Sequence, residues 1–293
     1  MKELVRTVPA GILALCVAVT CAGNARGAGA RHAGAKYGHA DSSVGKMLAN
    51  TLVTRHFVFR FAEKPAALKD LFSTLEKNYA RITAVFAPLP GRLSVEVYPD
   101  IGSYHKRTFG AGSPDWLVGN FDPDENVLRL ASPDHPGSYH DRAGVLEAAV
   151  HEFAHAVTFN YRGRTREGLP VWLDEGVSVY FEGPLGKGTR ERIGKAAASG
   201  SLPSLAELDK DFVGHSGYTF SGTVVEFILK RYGAGKLRLF VKDPSAYRAI
   251  FGLSQEEFGS AWHRYLKAEY GGASAPARGV PSGKKRPGSS PGL

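Results

Sequence analysis

The chain has 293 residues, with 37 Lys and Arg against 28 Asp and Glu, a net charge of +9 at pH 7, and two cysteines. The excess sits at the ends: residues 1–44 hold five basic and two acidic groups, residues 272–293 hold four basic and no acidic ones, and the body is left near +2. A nucleic-acid binder concentrates positive charge on a folded face, so that class is excluded. The about 225 residues between the ends suffice for one large domain or two packed lobes.

The N-terminus begins with Lys2 and Arg6, continues with the apolar run Val8–Val19, and then turns to small residues. That is the anatomy of a secretory signal peptide over residues 1–27, with cleavage after Ala22 or nearer Ala28, and the run is short for a membrane anchor. Export to a periplasmic or extracellular space is the expectation. The residues preceding Cys16 and Cys21 fit a lipoprotein cleavage site poorly, so lipid anchoring is the lesser reading. Cleavage after Ala22 leaves no cysteine, so the mature chain relies on its core and on any metal it binds. Residues 28–49 read as a flexible leader to the domain.

The body begins with a strand over residues 54–61, where Phe57, Phe59 and Phe61 alternate. An amphipathic helix follows over about 65–86, with Leu68, Leu71, Phe72, Leu75, Tyr79 and Ile82 on one side. Residues 93–98 form a second strand and 103–109 a short helix. Trp116–Phe121 and Asn126–Leu130 read as a hairpin joined by the acidic turn Asp122-Pro123-Asp124-Glu125. The turn lacks the spaced oxygen donors of a calcium loop. Trp116 reads first as a core residue and second as a cleft wall.

A helix is expected from about Asp141 to Asn160, with Ser138 or Asp141 as N-cap and Val145, Ala149, Phe153, Ala156 and Val157 recurring at helical spacing. Its centre reads His151-Glu152-Phe153-Ala154-His155. Side chains four apart share one helix face, so both imidazoles reach one metal, and Glu152 stands near a water in its open position. A lone histidine on an apolar face is more often a satisfied core residue, but two together call for a shared partner. Beyond the basic loop Arg162–Gly168 comes Trp172-Leu173-Asp174-Glu175-Gly176, on a second helix with Pro170 in its first turn. Gly176 would let the two helices approach closely, and a carboxylate on this helix is the expected third ligand. Asp174 reads as a solvated helix-start acid or as an acceptor that orients a ligand histidine.

These two segments resemble the "HExxH" and "WLxEG" helices of the gluzincin zinc metallopeptidases, and most of all the peptidase MA-like group, over roughly residues 50–270. The resemblance implies one zinc per chain held by His151, His155 and Glu175, with Glu152 as general base and a peptide or protein as substrate. It also implies an α+β fold over residues 50–271. A mixed sheet with a helix (50–135) precedes a mainly helical lobe (136–271), the zinc cleft lies between them, and one sheet edge lies over the cleft. The "GxMEN"-type segment of aminopeptidase relatives is absent, which favours endopeptidase action. Related families often place a tyrosine near residues 215–221, which makes Tyr218 the preferred oxyanion donor and His215 the second choice. Each also reads as an ordinary packing or surface residue.

After the second motif the chain reads as all-helical, near 189–199, 204–209, 222–232, 236–241 and 254–269, and Ser254 with Glu257 forms a capping box. Residues 272–293 read as a solvated basic tail that touches anionic envelope surfaces at most weakly. Two other readings stay open: a non-catalytic zinc- or peptide-binding module of this shape, and an envelope protein whose tail is the functional part and whose zinc is structural.

Overall fold

The computed structural model describes residues 47–110 and 113–271. The calls for a signal peptide over 1–27, for most of the leader and for the basic tail lie outside the described residues. No helix among the described residues is long and apolar enough to cross a membrane.

Five strands form one mixed sheet: β1 (Asn50–Val53), β2 (Phe57–Phe61), β3 (Leu93–Tyr98), β4 (Gly119–Asp122) and β5 (Val127–Ala131), in the order β1-β2-β3-β5-β4. The pairs β2/β3 and β3/β5 are parallel, while β1 and β4 close the two edges antiparallel. The expected hairpin is therefore β4–β5, and its second strand fills the sheet beside β3. Helix α1 (Leu68–Thr83) makes the crossover from β2 to β3, and α2 (Ile101–Thr108), capped by the Asp100 carboxylate on the Ser103 N–H, leads towards β4. β1 carries no sequence signal, because only one of its four residues is even partly buried and no apolar alternation marks it.

Strand alternation sorts the two faces. Phe57, Phe59, Phe61, Val95, Val97, Leu128 and Leu130 point into the main core with Phe121. Burying each phenylalanine ring contributes about 1.5–3 kcal/mol. The other face holds Glu96, Tyr98, Asn120 and Arg129, beneath Tyr104 of α2. Arg129 is 1% exposed and bonds Glu96 (Nε–Oε2, 3.0 Å), Asp122 and Glu125. Within the acidic turn, Asp122 Oδ1 accepts the N–H groups of Asp124 and Glu125, and Asn126 takes a left-handed conformation. Arg129 thus answers the turn's carboxylates. Trp116 is half-buried at the edge of the smaller core.

The remaining chain is helical: α3 (Arg142–Tyr161), α4 (Val171–Glu182), α5 (Lys187–Ser199), α6 (Leu205–Lys210), α7 (Gly217–Lys242), α8 (Tyr247–Phe251) and α9 (Gln255–Tyr270). The architecture is α+β, a mixed sheet followed by a mainly helical region. α3 packs on the sheet and α1 through Phe153, whose ring lies 5.2 Å from that of Phe57 and 5.8 Å from that of Tyr79. Its N-cap is Asp141, on the Gly144 N–H; Ser138 instead donates to Asp115.

Pro170 is the N-cap of α4 and not a residue of its first turn, since its ψ of 141° is extended. The close approach allowed by Gly176 is to α7 rather than α3: a Cβ there would lie 2.7 Å from the Ser221 carbonyl oxygen. A Cβ on Gly222 would in turn meet Val179, so each helix supplies a gap for the other. The two helices expected over 222–232 and 236–241 are both present within α7: the first starts earlier, at Gly217, and the chain breaks at Gly233, whose φ of 79° and ψ of 169° are not helical, before the second runs on to Lys242. A single glycine absorbs the break and the helix resumes. The short α8 is an addition to the helices expected from the sequence. The capping box at α9 is present, and Trp262 of that helix donates to Thr223 of α7 at 3.0 Å.

Candidate metal centre

α3 carries three polar side chains into an otherwise apolar interface. His151, Glu152 and His155 are all buried, and α4 brings buried Glu175 across to them. The ligand atoms of His151, His155 and Glu175 lie within 4.8 Å of one another. The two Nε2 atoms are 3.2 Å apart, with Glu175 Oε2 3.3 Å from His151 Nε2 and Oε1 3.6 Å from His155 Nε2.

The other nitrogen of each ring is occupied. His151 Nδ1 stands 3.2 Å from Glu182 Oε2, and His155 Nδ1 stands 3.1 Å from Asp174 Oδ1. A carboxylate on the far nitrogen fixes ring orientation and raises the basicity of the nitrogen that faces the centre. For Asp174 this is one of the two parts its sequence position suggests; Glu182 carries no such local signal, although it lies seven residues after Glu175 and so on the same face of α4. Three donors converging in a buried space, with both imidazoles oriented from behind, are a set that fits a divalent metal with an open position.

Glu152 is held from the sheet. The Phe121 N–H, on edge strand β4, donates to Glu152 Oε2 at 2.7 Å. Gly119 keeps that strand close, since a Cβ there would meet Leu130 at 2.8 Å and Glu152 Cγ at 3.5 Å. The strand beside the general-base candidate is thus β4, which local patterning had left open.

Tyr218 lies in the first turn of α7, not in a loop ahead of it, and its ring packs edge-on to Phe212 at 4.9 Å. It precedes Ser221, the contact of Gly176, by three residues, which places it on the helix packed against Glu175's own. His215 is half-buried and lines a polar cavity of about 400 Å³ with Gly200, Ser201, Glu207, Ser216 and Phe220.

Charge in the cluster is strongly coupled. Burial opposes protonation of His155, but Asp174 and Glu175 outweigh it and push its pKa up to about 9. His151 is likewise buried, yet Glu175 and Glu182 raise it well above the ordinary histidine value. Burial would raise Glu175, but the two imidazoles hold it below the usual carboxylate range. In metal-free protein the raised histidines stabilise the fold below their ordinary value of 6.5, and that contribution is lost as pH rises through about 9. The lowered Glu175 stabilises above its ordinary 4.5 and loses its contribution as pH falls below that. Metal binding takes the neutral imidazoles, so the loaded site does not share the alkaline loss. The thermal midpoints of metal-loaded and chelated protein should therefore diverge from about pH 6.5 to 9; a constant gap in melting scans would contradict the coupling.

A family comparison bears on the same segment. The model of the Peptidase MA superfamily matches residues 138–268, from just ahead of α3 to near the end of α9. Over that segment the chain is similar to the Peptidase MA superfamily. The match takes in the whole His151–His155–Glu175 group, Glu152 and Tyr218, while the sheet lies ahead of it. At family level the match supports a peptidase-like hydrolase, and the buried group is compatible with a metal. No curated protein matches the chain.

Proposed function

We propose that the protein is an exported, zinc-dependent peptidase, with residues 50–271 as its catalytic domain and export directed by residues 1–27. The observation that carries the reading is the convergence of His151, His155 and Glu175 beside a general-base candidate tied to a sheet edge. His151 Nε2, His155 Nε2 and a Glu175 oxygen would hold the ion. Zinc bound there would supply a water of lowered pKa and a Lewis acid for the substrate carbonyl.

The chain's own groups do the rest. Glu152 accepts a proton from the attacking water and passes it to the departing amine. β4 is an edge strand, so an extended peptide pairs along it by backbone hydrogen bonds and comes to lie beside Glu152. Tyr218 is the proposed donor to the developing oxyanion. Glu182 and Asp174 keep the two imidazoles turned to the centre. The absence of a "GxMEN"-type segment favours endopeptidase action, and the basic tail makes at most weak contact with anionic envelope surfaces.

The test is hydrolysis of a mixed peptide library by zinc-loaded protein, abolished by chelation and restored by zinc. Tyr218→Phe is expected to lower kcat about 10²–10³-fold with zinc content unchanged. Unchanged kinetics would remove Tyr218 from the mechanism, and no hydrolysis of any peptide by loaded protein would leave a metal-binding module.

A further inference from the structure

The loop between α3 and α4 holds three arginines with different fates. Arg162 is spent on the backbone, donating to the carbonyls of Thr165, Glu167 and Val241 and so pinning the loop to the end of α7. Arg164 is exposed, in a left-handed conformation at φ 65°. Arg166 turns inward, and its side chain is only 18% exposed.

Its guanidinium meets two parts of the candidate centre at one remove. Nε lies 3.7 Å from Asp174 Oδ2, while the other oxygen of that carboxylate faces His155 Nδ1 at 3.1 Å. The guanidinium carbon also stands 6.0 Å from the centre of the Phe121 ring, the residue whose N–H holds Glu152. A planar cation can lie against an aromatic ring while its edge keeps a charge contact with a carboxylate, which a lysine ammonium does less well.

We propose that Arg166 is a positioning residue that joins the two halves of the site. Through Asp174 it fixes the plane of His155, and through Phe121 it sets the distance between strand β4 and Glu152. The first role rests on the metal reading alone, and the second on the peptidase reading.

The test uses the full chain and Co²⁺, followed by its visible absorption, with peptide hydrolysis measured separately. Arg166→Gln is expected to weaken Co²⁺ binding about 10-fold or more and to shift the absorption bands. Arg166→Lys keeps a charge opposite Asp174 and should restore affinity to within a few-fold, while kcat stays depressed because the contact with Phe121 is lost. Phe121→Leu should show the same split, with normal Co²⁺ affinity and lowered kcat.

Wild-type affinity and spectrum in a folded Arg166→Gln protein would overturn the proposal. If that variant does not fold, wild-type kcat in both Arg166→Lys and Phe121→Leu would overturn it instead. A wild type that binds Co²⁺ but cleaves nothing refutes the peptidase reading and the Glu152 role, and leaves the affinity comparison to decide the rest. A wild type that takes up no Co²⁺ overturns both readings.

Discussion

Glu152→Gln is expected to lower kcat for peptide hydrolysis about 10²–10⁴-fold while leaving metal content and folding near those of the parent chain. The carboxylate is buried and accepts the Phe121 N–H through Oε2 at 2.7 Å. Glutamine has nearly the same shape and keeps one carbonyl oxygen for that bond, so strand β4 and helix α3 stay in place. It loses the ability to take a proton from water at neutral pH. Steady-state kinetics on the library substrate, with elemental analysis of the same sample, separate the two effects. A kcat within a few-fold of the parent would mean that Glu152 is not the base. Loss of metal along with activity would place it among the ligands or their supports.

The largest effect on stability is expected at Arg129. Arg129→Met should cost about 3–5 kcal/mol in urea unfolding, since it strips the partner from carboxylates that folding has taken out of water. Asp122 is 2% exposed and Glu96 is 9% exposed. Glu96 also accepts the Tyr98 hydroxyl at 2.8 Å, an arrangement that keeps the phenol protonated by burial and by the adjacent negative charge. Adding Glu96→Gln and Asp122→Asn to the methionine variant should recover part of the loss, because neutral amides leave no uncompensated charge at those two positions. A cost below about 1 kcal/mol would mean that water reaches the network. The effect extends to the site, since Asp122 follows Phe121 on β4: freeing that end of the strand loosens the N–H that holds Glu152.

The parts of this molecule legible in the sequence are those written in local pattern. Phe57, Phe59 and Phe61 announce β2 by alternation, and Val145, Ala149 and Phe153 announce α3 by helical spacing. The imidazoles of His151 and His155 come together because four residues on a helix make one turn, and Glu175 joins them from an adjacent helix. What escaped was written in pairings between distant segments. β5 lies beside β3 in parallel, which puts β4 at the edge, and nothing within residues 119–131 encodes that order. β1 is mostly exposed and carries no periodic signal. Gly176 does serve a close approach, but the partner is Ser221, 45 positions on, and not the helix before it. Arg129 sits in the run Val127–Ala131 and shows its role only when Glu96, from another strand, is brought beside it. Glu182 and Arg166 belong to the same class: one meets His151 and the other meets the Asp174 carboxylate behind His155, contacts that residue type does not announce.

Zinc per chain, measured by elemental analysis on protein purified without a metal-affinity tag, tests the central claim most directly. The account predicts about one zinc per chain in the parent, and its loss in both His155→Ala and Glu175→Ala. A folded protein that holds no zinc after incubation with the metal would contradict it.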